Sequence, residues 1–450
     1  MVRIKPLSRS TTTYLPPGSS APLPRNLDPS QHPFSKAREY TRALNATKLT
    51  RMFAQPFLGQ LGNGHIDGVY TLCKDPTSLT RLASGSGDGE VKIWNLVDRK
   101  EAATYKAHQG MVMGLTFTAT SADYSAIDQR LLSCSVDKTV KLWDPNSTSS
   151  STTPVATYLG SESFNSITHH RTTPTFATAS STISIWDISR ENPISKLTFG
   201  TDTLSCVRFN QTETSILASS GHDRSLIFYD LRTNSPLHKL YTTLRTNSIC
   251  WNPMEAFNFA AANEDHNVYI FDMRKLDRAL NVLKGHVAAV MDVDYSPTGE
   301  ELVTASYDRT IRIFRAREGH SRDVYHTKRM QRVFSAKFSP DTKYLLSGSD
   351  DGNIRLWRSQ ASDRSRILSA REREKREYDD ALRERYKHMP EIKRIDRHRH
   401  VPKVVKKAAE IKKEEISAIK RREENVRKHS KKGEVRRVPE REKMVLGKEQ

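Results

Sequence analysis

Cysteine is scarce in this chain, with four in 450 residues, at Cys73, Cys134, Cys206 and Cys250, and no two form a CxxC pair. That spacing argues against a cysteine zinc site or a disulfide framework and fits a reducing compartment. The four are expected to act as small buried hydrophobes. Long apolar runs are missing too, and nothing approaches the roughly 18 to 20 apolar residues that cross a bilayer. The opening MVRIKPLSRSTTTYLPPGSS has basic residues but no apolar stretch behind them, so it does not read as a secretory signal. The expectation is a soluble, intracellular protein without a membrane partner. Catalytic signatures are also lacking: there is no nucleophile elbow, Walker sequence or HExxH. GSGDG (85–89) is glycine-rich, but it falls in a strand turn, with no helix following as a phosphate loop requires. No catalytic residue, cofactor, metal or small-molecule substrate is expected, and the chain does not read as an enzyme.

What the chain has in excess is positive charge. Its 72 Lys+Arg against 52 Asp+Glu give a formal charge of +20, and the isoelectric point is about 9.7. An anionic partner is the natural inference. Hydrophobic residues are 36% of the total, enough for a substantial core in one part of the chain but not throughout it.

That part is a repeat. VKIW (91–94), VKLW (140–143), ISIW (183–186), LIFY (226–229), VYIF (268–271), IRIF (311–314) and IRLW (354–357) alternate core-facing and outward residues and close on an aromatic. Successive closing aromatics are 49, 43, 43, 42, 43 and 43 residues apart, the period of a four-stranded propeller blade. Asp88, Asp137, Asp223, Asp265, Asp308 and Asp351 each stand six residues before that aromatic, with Ser180 at the place in the third unit. A carboxylate is costly to bury unless paired, so an Asp at fixed spacing implies a local hydrogen-bonding role.

These residues resemble the WD40 family, in which a His, a Ser or Thr, the turn Asp and a Trp form a buried structural network. The resemblance implies complete sets in His65, Ser84, Asp88 and Trp94 and in His108, Ser133, Asp137 and Trp143. It implies a set without the indole donor in His286, Thr304, Asp308 and Phe314. The seventh unit keeps Asp351 and Trp357 but, like units three to five, lacks the His. The fold class expected is all-β: a seven-bladed WD40 β-propeller with an N-terminal basic extension and a C-terminal α-helical basic tail. Segment 53–61 (FAQPFLGQL) is expected to supply the last blade's outer strand and so close the ring. The division is an extension over 1–52, a propeller over 53–358 and a tail over 359–450.

Residues 1–35 are rich in Ser, Thr and Pro and read as disordered. After them Phe34, Ala37, Tyr40, Leu44 and Leu49 recur at near-helical spacing between basic residues, which predicts a basic amphipathic helix. It either packs on the propeller's side or contacts a partner or RNA. Residues 361–450 hold 30 Lys+Arg against 18 Asp+Glu, more than half of the net charge. Their Glu, Lys, Arg and Ala predict exposed helices supported by side-chain pairs, interrupted at Pro390 and Pro402. Within them Lys393, Arg394, Arg397, Arg399, Lys403, Lys406 and Lys407 face only Glu391 and Asp396, a density suited to phosphate neutralisation. His398 and His400 join that RNA- or partner-binding block; alternating with arginines, they make poor metal ligands. KRREENVRKHSKK (420–432) has the composition of a nuclear-import patch.

REYTRALNATKL (38–49), the seven blades and KRIDRHRHVPK (393–403) together resemble the suppressor-of-fibrillarin (Sof-type) family of ribosome-biogenesis proteins. The resemblance implies a nucleolar scaffold of the small-subunit processome. Its partners would be processome proteins, the U3 small nucleolar RNA and the precursor RNA of 18S ribosomal RNA. FYDLR (228–232) and IFDMR (270–274) resemble the WDxR box that docks on the DDB-type adaptor of cullin ubiquitin ligases, with Arg232 and Arg274 at the arginine position. Those two residues read equally well as ordinary strand-end arginines.

Overall fold

Alternation at a period of two makes each repeat a sheet with one face on either neighbour, and seven such sheets form in the computed structural model. It describes residues 28–118, 129–146, 153–200, 202–364, 366–431 and 433–449; the disorder read for 1–35 falls mostly outside them. Blades I to VI run in chain order and pair antiparallel throughout, from Val69–Lys74 in blade I to Ser321–Tyr325 in blade VI. Blade VII takes three strands from Val333–Arg358 and its fourth from Phe57–Gln60, with Phe57 opposite Trp357. Segment 53–61 therefore closes the ring as expected, and the rings of Phe57 and Trp357 meet at 5.3 Å. The first strands of successive blades touch one another around the centre.

The turn aspartates fill the local role their spacing implied. Asp88, Asp137, Asp223, Asp265, Asp308 and Asp351 each accept the N–H two residues on. The residue between is left-handed in every case: Gly89, Lys138, Arg224, His266, Arg309 and Gly352. Ser180 takes the N–H of Thr182 in the same way in blade III. Gly89 is fixed twice over, by φ of 84° and because a Cβ there would meet the His108 carbonyl oxygen at 2.2 Å. The closing aromatics are buried in all seven blades, none more than 2% exposed. Burying one such ring contributes roughly 1.5–3 kcal/mol, so the repeat supplies its own core between blades. The cysteines are free; Cys134 and Cys206 are buried as expected, whereas Cys73 and Cys250 are half-buried, their thiols still desolvated enough to be pushed up to about 11 and 12.

The chain separates into two compact units, described residues 28–56 with 360–399 and residues 57–359 with 400–449. In the first, α1 (Ser35–Met52), α2 (Ala370–Arg385) and α3 (Pro390–Arg397) pack together. Their small core is Ala43, Leu382 and Ile392, flanked by Tyr40, Leu44 and Tyr386. The predicted helix forms, but its buried face runs through Ala43, Ala46 and Thr47, while Phe34 and Leu49 are exposed. Its partners here are the C-terminal helices. Ser369 and Glu372 form a capping box at the start of α2, and Pro390 occupies the first turn of α3, where a missing N–H costs nothing.

In the second unit, Pro402 caps α4 (Lys403–His429), and the chain then returns to the propeller. Val445–Glu449 pairs antiparallel with the outer strand of blade IV, Ser235–Thr242, as a fifth strand. Met444, 1% exposed, joins the cluster of Leu240, Trp251, Leu276 and Ala279 between blades IV and V. The helical tail expected from composition thus finishes in a short strand, because a blade edge and an apolar cleft await its last apolar residues. Met444→Ala should weaken this docking by about 2 kcal/mol or more. The expected readout is faster amide exchange at Val445–Glu449 with the first strands of the blades unchanged; unchanged exchange at the terminus would show that Met444 does not anchor it.

Candidate functional site

Blade II builds the network in full. His108 Nδ1 lies 2.9 Å from Asp137 and Nε2 lies 2.8 Å from Ser133, while the Trp143 indole donates to Ser133 at 2.9 Å. Burial lowers the His108 pKa against the pull of Asp137, so the imidazole stays neutral and links the serine hydroxyl to the carboxylate. Blade VI repeats the chain with His286, Asp308 and Thr304 at 2.8 and 2.7 Å, and Phe314 adds packing without a donor. Blade VII retains the Trp357 indole on Ser347 at 2.9 Å, and Asp351 pairs with Arg355 in place of a histidine.

Blade I departs from the expected set. His65 and Trp94 both reach Ser84, at 2.6 and 2.7 Å, but Asp88 turns to Ser86 and the Glu90 amide. His65 Nδ1 is left buried without a partner, and burial followed by the Lys92 charge takes its pKa to about 4. His65, Asp88 and Glu90 are the one group of possible metal ligands among the described residues, within 4.8 Å of one another. The Lys92 ammonium beside them opposes a cation.

A second constellation, read from no motif, lies on the central strands. Asp292 binds Lys337 Nζ at 2.8 Å and accepts from Ser248 and Ser335, and Asp294 binds Lys74 at 2.9 Å. Burial raises the Asp292 pKa, but Lys337, the Arg208 charge and the Ser335 hydroxyl together outweigh it and leave the pKa lowered. The signal was present as charged residues at alternate positions of apolar first strands, in VMDVDY and VFSAKF.

The basic block divides between the two units. Lys393, Arg394 and Arg397 project from α3, exposed and without an ion pair among the described residues. Arg394 and His398 line a cavity of about 340 Å³ with Arg51 and Ile395. Arg399 turns onto the carbonyls of Asp396 and His398. His400 belongs to the propeller unit and stacks on His326, ring centroids 5.3 Å apart, and Lys403, Lys406 and Lys407 are exposed on α4.

Arg232 and Arg274 have matching geometry on blades IV and V. Each grips the Asp two residues earlier with two nitrogens, at 3.3 and 3.2 Å for Arg232 and 3.1 and 3.1 Å for Arg274. Their side chains remain 77% and 61% exposed. Such exposed pairs add little to stability; their effect is to hold two guanidinium groups in a fixed pose at the surface. Arg274 also lies over the Phe257 ring at 4.2 Å. Among the described residues no helix is long and apolar enough to cross a membrane.

This architecture has close relatives. The profile described as a Sof1-like domain matches residues 359–445, and that of the WD domain, G-beta repeat, matches 57–95, 99–144, 278–315 and 318–358. The chain is 53% identical over 465 residues to "Protein SOF1" of Saccharomyces cerevisiae, covering 99% of this chain and 95% of that one. It is 57% identical over 447 residues to "Protein sof1" of Schizosaccharomyces pombe, covering 99% of each. To "DDB1- and CUL4-associated factor 13" of Mus musculus it is 46% identical over 449 residues, again covering 99% of each. With the blades and the flanking helices inside these matches, the chain belongs to the Sof1 family of WD-repeat proteins.

Proposed function

We propose that this protein is a non-catalytic scaffold of the small-subunit processome, acting with the U3 small nucleolar ribonucleoprotein in the nucleolus. Its role is in processing precursor RNA to 18S ribosomal RNA and in assembling the small ribosomal subunit. The observation that carries this reading is the likeness to the Sof1 proteins, which runs through the blades and both flanking segments. The fold suits a scaffold, since a rigid ring offers separate surfaces to proteins, and an exposed basic block, from Lys393 to Lys407, suits phosphate. In this reading 1–52, 53–358 and 359–450 are successive functional segments.

A second reading rests on Arg232 and Arg274. Fixed and exposed on adjacent blades, they offer a docking pair for a DDB-type adaptor, and relatives carry the name DDB1- and CUL4-associated factor 13. The protein would then present substrates to a cullin-type ubiquitin ligase.

Crosslinking of the tagged protein in cells, with sequencing of bound RNA, separates the two. Recovery of precursor ribosomal RNA and U3 RNA, reduced severalfold or more by Arg394→Ala/Arg397→Ala/Arg399→Ala, is the expected result. If no RNA is enriched and cullin-ligase adaptors co-purify until Arg232 and Arg274 are replaced, the scaffold reading fails and the receptor reading replaces it.

A further inference from the structure

The second unit carries a basic groove outside the 393–407 block. It lies between the outer strand of blade V, Asn281–Leu283, and the segment that leads into the terminal strand, and its volume is about 610 Å³. Four cations, Lys284, Arg436, Arg437 and Arg441, line it with a single carboxylate, Glu440. That carboxylate is shared, since Glu440 pairs with Lys284 and, at 3.1 Å, with Lys420 of α4. Arg436, Arg437 and Arg441 have no ion pair among the described residues. Their backbone is held: the Ala279 amide donates to the Arg441 carbonyl at 3.0 Å, and Met444 is buried three residues on.

From this arrangement we propose that the groove between blade V and residues 436–441 binds the phosphate backbone of structured RNA, as part of the scaffold role proposed above. Guanidinium groups pair with phosphate oxygens through parallel N–H donors. The lining includes no aromatic side chain on which an unpaired base would stack. It also lacks the large buried anchor that centres most protein interfaces, since Val282 and Pro439 are its only apolar members. A partner held here gains through charge and backbone geometry, which a duplex presents whatever its sequence. Burial, then the like charge of the neighbouring Lys420, lowers the Lys284 pKa. A phosphate in the groove would relieve that repulsion.

The test uses the full-length chain and a fluorescent RNA duplex of arbitrary sequence, with affinity followed from about 50 to 200 mM salt. Arg436→Gln/Arg437→Gln/Arg441→Gln should flatten the plot of log affinity against log salt by about two to three, near 0.9 for each phosphate no longer neutralised. It should weaken binding at least tenfold at the low-salt end. Lys393→Gln/Arg394→Gln/Arg397→Gln, on the other unit, is the comparison. An unaltered slope in the groove variant overturns the proposal. So does duplex binding that disappears only in the α3 variant, which would leave the scaffold reading intact and return RNA binding to α3. If the groove variant loses a poly-glutamate peptide but keeps the duplex, the groove is a protein site and the proposal fails. A thermal midpoint matching the unaltered chain shows that the variant folds; should it not, Arg436→Gln alone is measured, with an expected slope change of about one.

Discussion

Replacing Asp308 with alanine should destabilise the propeller by about 3–5 kcal/mol, the cost of removing one partner from a buried charged network. The side chains of Asp308 and His286 are each 2% exposed. One carboxylate oxygen faces His286 Nδ1 and the Val287 amide, and the other accepts from the amide and hydroxyl of Thr310. Arg312 is buried nearby, and burial lowers its pKa against the countering charge of Asp308. Alanine would leave the imidazole donor unsatisfied and the guanidinium without its counter-charge. Asp88 occupies the same place in blade I, but it is exposed and does not touch His65, so Asp88→Ala should cost only about 1 kcal/mol, comparable to a lost turn bond. Thermal and urea unfolding of the two variants checks this. Equal losses would mean that position in the repeat, rather than the partners present, sets the cost.

Stability should also fall steeply between pH 6.5 and pH 4. Burial, chiefly, lowers the pKa of His65 and of His169 to about 4 in the folded chain, whereas an unfolded imidazole titrates near 6.5. Within that window the unfolded state binds more protons, so stability is complete above about 6.5 and declines as the pH falls. At about 1.36 kcal/mol per pH unit for each group, the two histidines together account for a loss of roughly 5–6 kcal/mol. His108 and His286, also lowered chiefly by burial, act in the same direction. Unfolding free energy followed against pH at constant ionic strength is the measurement, and His169→Gln should remove close to half of the two-histidine dependence. A flat profile across the window would mean that these imidazoles are hydrated and charge freely.

How much was legible follows from how local each feature is. The left-handed residue after each turn Asp depends on four consecutive residues, and all six turns formed as their spacing implied. Helix boundaries at Pro390 and Pro402 are equally local, since proline lacks an N–H and disfavours helix in the residue before it. The buried face of α1 was only partly legible. Phe34 and Leu49 fit the apolar period, yet Leu382 and Ile392, more than 300 residues further along the chain, chose Ala43 and its neighbours. The WD motif assigned blades I and II identical sets, but it did not reveal that Asp137 would close its network while Asp88 turned away.

The sequence by itself determined seven blades, their turns, and the strand near residue 57 that closes the ring. A period of two and a recurring turn carboxylate act within a few residues and repeat seven times, so the pattern is strong. Only the tertiary structure decided that the last residues become a fifth strand on blade IV and that Met444 fills the cleft beside it. It alone set Arg436, Arg437 and Arg441 opposite Lys284. Those pairings join segments about 150 to 200 residues apart, and their free energy comes from an edge and a cavity that exist only after the ring has formed; no local period records them.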